Sequence, residues 1–333
     1  MPFTGSICRR SILAGAAAAL CAPRIGAESP VVLRLSTPAT ATDQRSRALA
    51  EIFAPMVAPF AQLEIHHNAT LFRQGSEIEA IARGNLEMAL PSAQDIAAFV
   101  PAFSVLTAGY LYRDAVHQRA VFASDLMDPL RERLAAAFGV RLIAVFYLGR
   151  RHLNLRTTAP VQVPADLAGV RLRMPAAAAW QFLGAALGAL PVPLAFGEIY
   201  TALQTGAIDG QDNPLPTIRD SRFDEVTRQI VLTGHLVDMT YLAVSERVWQ
   251  GLGPPERAAL AVAAEAAADH ARIAQLRLED ELADTFRAGG LAVYAPDVAA
   301  FRARVEAAYA TAPFAGDWPP GMAERLRALG AEG

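Results

Sequence analysis

Lysine is missing from this 333-residue sequence, and all 30 basic residues are arginine. We attribute that bias to GC-rich coding. Cysteine is nearly missing: Cys8 and Cys21 lie within the first 27 residues, so a chain trimmed there has no disulfide and no thiol nucleophile. The sequence holds no GxSxG, HExxH or P-loop pattern, and no glycine-rich dinucleotide fingerprint follows its first strand-like segment. Of the six histidines (His66, His67, His117, His152, His235, His270), only His66 and His67 are neighbours. Adjacent side chains on a strand point to opposite faces, so no metal site is expected, and no cofactor. Internal repeats and long flexible linkers are also lacking. What remains is 53% hydrophobic and 19% charged, a composition that builds large cores.

The N-terminus reads as an export signal. Arg9-Arg10 precede Ser-Ile-Leu and an apolar run from Ile12 to Ala22, too short for a permanent membrane span. The paired arginines resemble a twin-arginine signal. Ile25-Gly-Ala27 offers small residues for cleavage, leaving Glu28 as the mature start and a periplasmic location. Leu20 before Cys21 is a poor match to a lipidation site. Removing Arg9, Arg10 and Arg24 takes the net charge from −3 to −6, which argues against nucleic acid or an anionic membrane as partner.

Beyond Ala27, short apolar runs alternate with helical stretches. Strands are expected at 31–36, 63–66, 86–90, 139–146, 169–174, 190–194, 230–232 and 241–244. Helices are expected at 45–57, 75–82, 180–187 and 196–205. Such alternation implies an α/β fold. From Glu256 to Arg287 there is neither proline nor glycine, and good helix formers dominate. A helix of that length, about 45 Å, exceeds one small domain and suggests a spine shared by two lobes with a ligand cleft between them. The expected division is residues 28–149 with 238–277 as one lobe, and 150–237 with 278–333 as the other.

The chemistry-bearing residues concentrate between Phe146 and Asn213. Arg150-Arg151-His152 follows a buried strand. Arg171 and Arg173 alternate along another, and an arginine at a strand end can grip a carboxylate with two parallel hydrogen bonds. Asp209-Gly-Gln-Asp-Asn-Pro214 reads as a polar turn, in which Asn213 can both donate and accept. Phe196 can line an apolar wall or pack in a core. From residue types alone, surface or structural roles remain open for all of these.

Two longer segments carry a resemblance: Pro164-Ala-Asp-Leu-Ala-Gly-Val-Arg-Leu-Arg-Met-Pro175 and Ala195-Phe-Gly-Glu-Ile-Tyr-Thr-Ala-Leu-Gln-Thr-Gly-Ala-Ile-Asp-Gly-Gln-Asp-Asn-Pro214. Shorter ones are 81–90, Thr233-Gly-His235 and Ser245-Glu-Arg-Val-Trp249. Over nearly the whole mature chain the sequence resembles the DctP-type periplasmic binding proteins of TRAP (tripartite ATP-independent periplasmic) transporters. The resemblance implies a two-lobed, periplasmic-binding-protein-like α/β fold that closes over its ligand, spanned by a long helix. It implies that Arg173 pairs with a ligand carboxylate, that Arg151 is a second cleft arginine, and that Asn213 and Phe196 contact ligand. Gln74, Ser92 and Gln94 are added by position along the family pattern. Where many members carry Leu-Gly and an acid, this chain has Leu71-Phe-Arg-Gln-Gly75. Where sialic-acid binders carry Glu, it has Pro91-Ser-Ala-Gln-Asp95. That departure points away from sialic acid.

The expected function is therefore solute capture for integral-membrane TRAP subunits by a monomer that is not an enzyme. The ligand is expected to be a small carboxylate, with a dicarboxylate first and a sugar acid next. Two cleft arginines suit a dicarboxylate, whereas an Arg151 braced by Asp95 or Asp212 would leave need for one carboxylate. A sensor component remains an alternative. So does an enzyme, with Glu198, Asp209 and Asp212 as its available acids.

Overall fold

The computed structural model describes residues 1–2 and 30–329. The apolar run Ile12–Ala22 and the expected cleavage site lie outside the described residues. Nine strands make one mixed sheet: β1 (Val31–Ser36), β2 (Ala61–His66), β3 (Met88–Ala89), β4 (Val140–Leu155), β5 (Arg171–Met174), β6 (Leu190–Pro193), β7 (Gly210–Pro214), β8 (Gln229–Ser245) and β9 (Ala292–Tyr294). Their order is β2-β1-β3-β8-β4-β7-β5-β6, with β9 also on β8. The Pro-punctuated β6 takes the sheet edge, where its missing N–H costs least.

The antiparallel pair β4–β8 carries the architecture. β3 joins β8 near its C-terminal end, Met88 opposite Val244, and brings the parallel strands β1 and β2. β7 joins β4 at Arg151–Leu155 and brings the parallel strands β5 and β6. Two half-sheets thus hang from opposite ends of one long ribbon. Where the ribbon passes between them its register slips, between Tyr147 and Gly149 and again between Arg151 and Leu153.

The expected spine is a 35-residue helix, Pro254–Ala288. Its first half buries Leu260 and a stripe of alanines (Ala263, Ala264, Ala267, Ala271) with Leu33, Leu35, Phe53, Phe146 and Val244. Its second half buries Leu282 and Phe286 with Ile199, Leu203, Ile218, Phe223 and Ile230. One helix therefore supplies both cores. Between them it touches the ribbon: Gln275 Nε2 donates to the Leu148 carbonyl, and Glu279 accepts from Tyr147 OH at 2.6 Å and Arg150 N at 2.5 Å. The C-terminal segment ties the halves again. Phe301, Val305 and Tyr309 share a core with Trp180 and Leu183, while Tyr309 OH donates to Thr107 O and Trp318 Nε1 to Ser104 Oγ.

Several expectations change. The separate strands at 230–232 and 241–244 are one strand, because Gly234 at φ +54° lets the chain bend without leaving the sheet. The strand expected at 139–146 runs on to Leu155 through Gly149. The polar turn expected at 209–214 is the buried strand β7, its polar side chains bonded to neighbouring strands. The helix expected at 45–57 contains a π turn at Leu49–Phe53, and Ala54 N bonds Leu49 O because Pro55 has no N–H to continue the ladder.

Gly149 has φ +131°, and a Cβ there would lie 2.6 Å from both Glu279 Oε1 and Pro214 Cβ. Gly169 also has positive φ, +77°, but open space around it. Gly169→Ala should cost about 1 kcal/mol through backbone strain alone. Gly149→Ala should cost about 3 kcal/mol or more, because strain and overlap add. Urea unfolding of the two variants checks this, and equal shifts of their midpoints would contradict the close approach of spine and ribbon.

Candidate functional site: a buried arginine in an interlobe cleft

Between the half-sheets lies a cavity lined by residues of both and of the ribbon. Arg173, Phe196 and Asn213 line it from the β5–β7 side, Gln74 and Ser92 from the β1–β3 side, and Arg151 from the ribbon. Six of the seven expected site residues thus meet in one space. Gln94 does not line it; that side chain is buried, with its Oε1 lacking a partner.

The two arginines differ sharply. Arg151, 3% exposed, is fully engaged by the protein. Its Nε donates to Asp212 Oδ2 at 2.7 Å, Nη2 to Asp212 Oδ1 at 3.0 Å and Nη1 to Asp238 Oδ2 at 2.9 Å. Its guanidinium stacks 4.5 Å from the Trp180 ring. Asp212 is held further by His235 Nε2 at 3.1 Å, whose Nδ1 meets Thr233 Oγ1 at 2.7 Å. Burial opposes ionisation of Asp212. Arg151 and His235 outweigh it and hold the carboxyl well below the usual carboxylate range. The sequence-level alternative, Arg151 braced by Asp212, is the observed arrangement.

Arg173 sits on β5, between β6 and β7, and is 1% exposed. Its Nε donates to Leu194 O at 2.9 Å, and its guanidinium lies 5.9 Å from the Phe196 ring. Its Nη2 is buried without any partner. Burial, and then the nearby charge of Arg151, push its pKa down to about 9, so it stays a cation at neutral pH. Trp180 and Thr217 line the same cavity, and Trp180 Nε1 and Thr217 Oγ1 are also buried without partners among the described residues. Unsatisfied buried donors are costly, and three on residues of one cavity describe a place for an acceptor with charge. Asn213 completes this wall, its Nδ2 donating to Gln211 at 2.5 Å in a chain that continues to Asn154.

On the opposite wall Ser92 caps the helix Ala93–Ala97, its Oγ accepting from Asp95 N at 3.1 Å. Gln74 Nε2 reaches Asp95 Oδ2 at 3.5 Å. Sequence reasoning missed Trp180, Glu77 and the Asp43–Arg45 pair, all of which line the cavity, and it offered Asp95 only as a brace for Arg151, which bonds Asp212 and Asp238 instead. The Ser92-x-x-Asp95 spacing of a capping box could have flagged Asp95. Nothing local marks Trp180. The three acids available to an enzyme are engaged: Asp209 by Arg171 at 2.7 Å, Asp212 by Arg151, and Glu198 by Ala195 N at 3.1 Å. Among the described residues no three His, Cys, Asp or Glu side chains group as a metal site.

A two-lobed α/β chain whose interlobe cleft holds a buried, unpaired guanidinium is a capture protein for a small anion. Residues 43–314 match the family described as bacterial extracellular solute-binding protein, family 7 (DctP), and the chain belongs to that family. It is a TRAP solute-binding protein. The fold superimposes with a TM-score of 0.90 on a crystal structure of a TRAP periplasmic solute-binding protein from Roseobacter denitrificans with bound 3-deoxy-D-manno-oct-2-ulosonic acid (KDO), at 53% identity, covering 91% of this chain and 100% of that one. The chain is also 28% identical over 265 residues to the sialic acid-binding periplasmic protein SiaP of Vibrio cholerae, covering 79% of this chain and 82% of SiaP. It is 27% identical over 249 residues to the C4-dicarboxylate-binding periplasmic protein DctP of Rhodobacter capsulatus, covering 73% of each.

Breaking the Arg151 cluster should strongly destabilise the protein. Asp212→Asn leaves a buried cation short of a partner and should cost about 3–5 kcal/mol at neutral pH. Asp212 protonates in the unfolded chain near pH 4 but far lower in the fold, so its contribution is complete above about pH 5 and fades as pH falls further. Urea titrations from pH 7 to pH 3 should show the wild type losing more stability than the variant over the acid part of that range. Parallel curves would contradict the assignment.

Proposed function

We propose that this protein is the exported capture subunit of a TRAP transporter, binding a monocarboxylate sugar acid in the cleft, closing over it and delivering it to the membrane subunits. One observation carries the reading: Arg173 is a buried cation with an unpartnered Nη2 facing the cavity, while Arg151 is spent on Asp212 and Asp238. The cleft therefore asks for one carboxylate, and the sequence-based order of preference, dicarboxylate before sugar acid, reverses. The 53% identical Roseobacter protein with bound KDO supports the same choice. Charge agrees. Among the described lining residues, Arg45 is paired with Asp43 at 2.8 Å, which leaves Arg173 without an acidic partner in ion-pair contact.

The ligand side of the cleft thus rests on Arg173, with Trp180, Asn213 and Phe196 around it; Gln74 and Ser92 face them from the other wall, and Gln94 has no ligand contact. We take the lobes to meet at Gly149 and Asp238, which pair across the ribbon beside its register slip. Export follows from the N-terminal signal pattern. We take the working unit to be a monomer, and we assign it no catalytic role, since Glu198, Asp209 and Asp212 are each bound to an internal partner.

Calorimetry against a panel of sugar acids tests the proposal. Arg173→Ala should lose about 2–5 kcal/mol of binding, a drop of roughly 30-fold to several thousand-fold, while remaining folded. Arg173→Lys should be weakened as well, since an ammonium lacks the planar fork. Near wild-type affinity in a folded Arg173→Ala protein would overturn the assignment.

A further inference from the structure

Two acids in the cleft have no role in holding a carboxylate. Glu77 opens the helix Glu77–Ala82 and Asp95 lies in the first turn of Ala93–Ala97. Both line the cavity, and they are 3% and 5% exposed. No arginine makes an ion pair with either among the described residues. Both are held by uncharged donors: Glu77 Oε2 accepts from Gly75 N at 2.6 Å, with the backbone N–H groups of Ser76 and Glu77 also acting on the carboxyl, and Asp95 Oδ2 accepts from Ser92 N at 3.3 Å and from Gln74 Nε2 at 3.5 Å. Such donors leave both carboxyls without a counter-ion in contact.

Buried acids left without cations are expensive to retain unless a ligand uses them. The same cavity holds an independent sign of a ligand, the buried and unpartnered Nη2 of Arg173. We infer that Glu77 and Asp95 are specificity-determining residues of this cleft: they bind hydroxyls of a polyol chain whose carboxylate sits on Arg173, and they turn away a second carboxylate. The inference rests on the sugar-acid reading above and sharpens it to a polyhydroxy monocarboxylate. Burial, and then the charge of Asp95, push the Glu77 carboxyl up to about 8, so at neutral pH it carries a proton. The pair then offers one donor and several acceptors. Alcohol groups, which donate and accept together, match that pattern. A carboxylate only accepts, and it would bring a charge beside Asp95. The walls of the cleft thus have opposite character, with donors around Arg173 and acceptors around Asp95. A dicarboxylate satisfies one wall at the expense of the other, whereas a sugar acid suits both.

The experiment measures dissociation constants at pH 7 for three probes: KDO, D-gluconate and succinate. The proteins are wild type, Asp95→Asn, Glu77→Leu and Arg173→Ala. Wild type should prefer a sugar acid to succinate by at least 100-fold. Asp95→Asn, which keeps an oxygen for the Ser92 cap, should reduce that preference at least tenfold. Glu77→Leu, which removes both the donor and the acceptor offered to a hydroxyl, should change it in the same direction and serves if Asp95→Asn does not fold, as judged by ligand-free melting. Sugar-acid binding that depends on Arg173 but keeps its preference over succinate in both folded variants would overturn this inference and leave the carboxylate reading standing. A wild type that prefers succinate would overturn it too. Wild-type binding of no probe, or binding indifferent to Arg173→Ala, would bring down both.

Discussion

A guanidinium withdrawn from water, with an N–H that meets no acceptor, costs a folded chain several kcal/mol in desolvation that nothing internal returns. Arg173 is in that condition, and the rest of the cleft is arranged around it. The backbone of β5, pinned between β6 and β7, fixes where the side chain starts, and Leu194 O fixes its Nε. The Phe196 ring lies 5.9 Å from its guanidinium, and burial withholds it from bulk water, so its field is little screened. In the proposed function a carboxylate arriving there would supply the missing partner with a charge-assisted bond stronger than a neutral one. The unpaired cation would then be a cost in the empty protein and a source of affinity in the loaded one.

That cost is tolerable because the second arginine is not left in the same state. Arg151 and Arg173 repel each other across the cavity wall, and the repulsion contributes to the lowered pKa of Arg173. Asp212 and Asp238 neutralise Arg151 from β7 and β8, and His235 supports Asp212 from behind. The cluster lies where the ribbon slips register, beside Gly149 and close to the contacts of Gln275 and Glu279 with the spine helix. A fixed charge network thus sits at the passage between lobes, and the recognition groups lie on either side of it.

The sequence made the parts with strong periodicity readable. The β1 strand and the spine helix fall where apolar alternation and an uninterrupted run of helix formers place them, because burial on one face leaves a period in the chain. The β7 strand left no such period. Gln211 and Asp212 are polar and buried, satisfied by Asn154, Arg151 and His235 from strands distant in sequence, and Asn213 donates to Gln211 beside it, so locally they read as a turn. For the same reason the Asp212 brace of Arg151 stood only as an alternative and Asp238 was not found: these partners lie 61 and 87 residues away. Arg173, Asn213 and Phe196 were identified through the family pattern; their residue types alone left surface and core roles open. Glu77 escaped notice, and Asp95 was named only as a brace for Arg151, because an acid at the start of a helix ordinarily has a helix-end role, and only the packing of two helices against the cleft offers them another.

The central claim is that Arg173, and not Arg151, holds the carboxylate of the ligand. A crystal structure with KDO or another bound sugar acid tests it most directly. The account predicts a ligand carboxylate within about 3 Å of Arg173 Nη2, with Arg151 still bonded to Asp212 and Asp238. A carboxylate on Arg151, with Arg173 unpaired or turned to an internal acid, would contradict it.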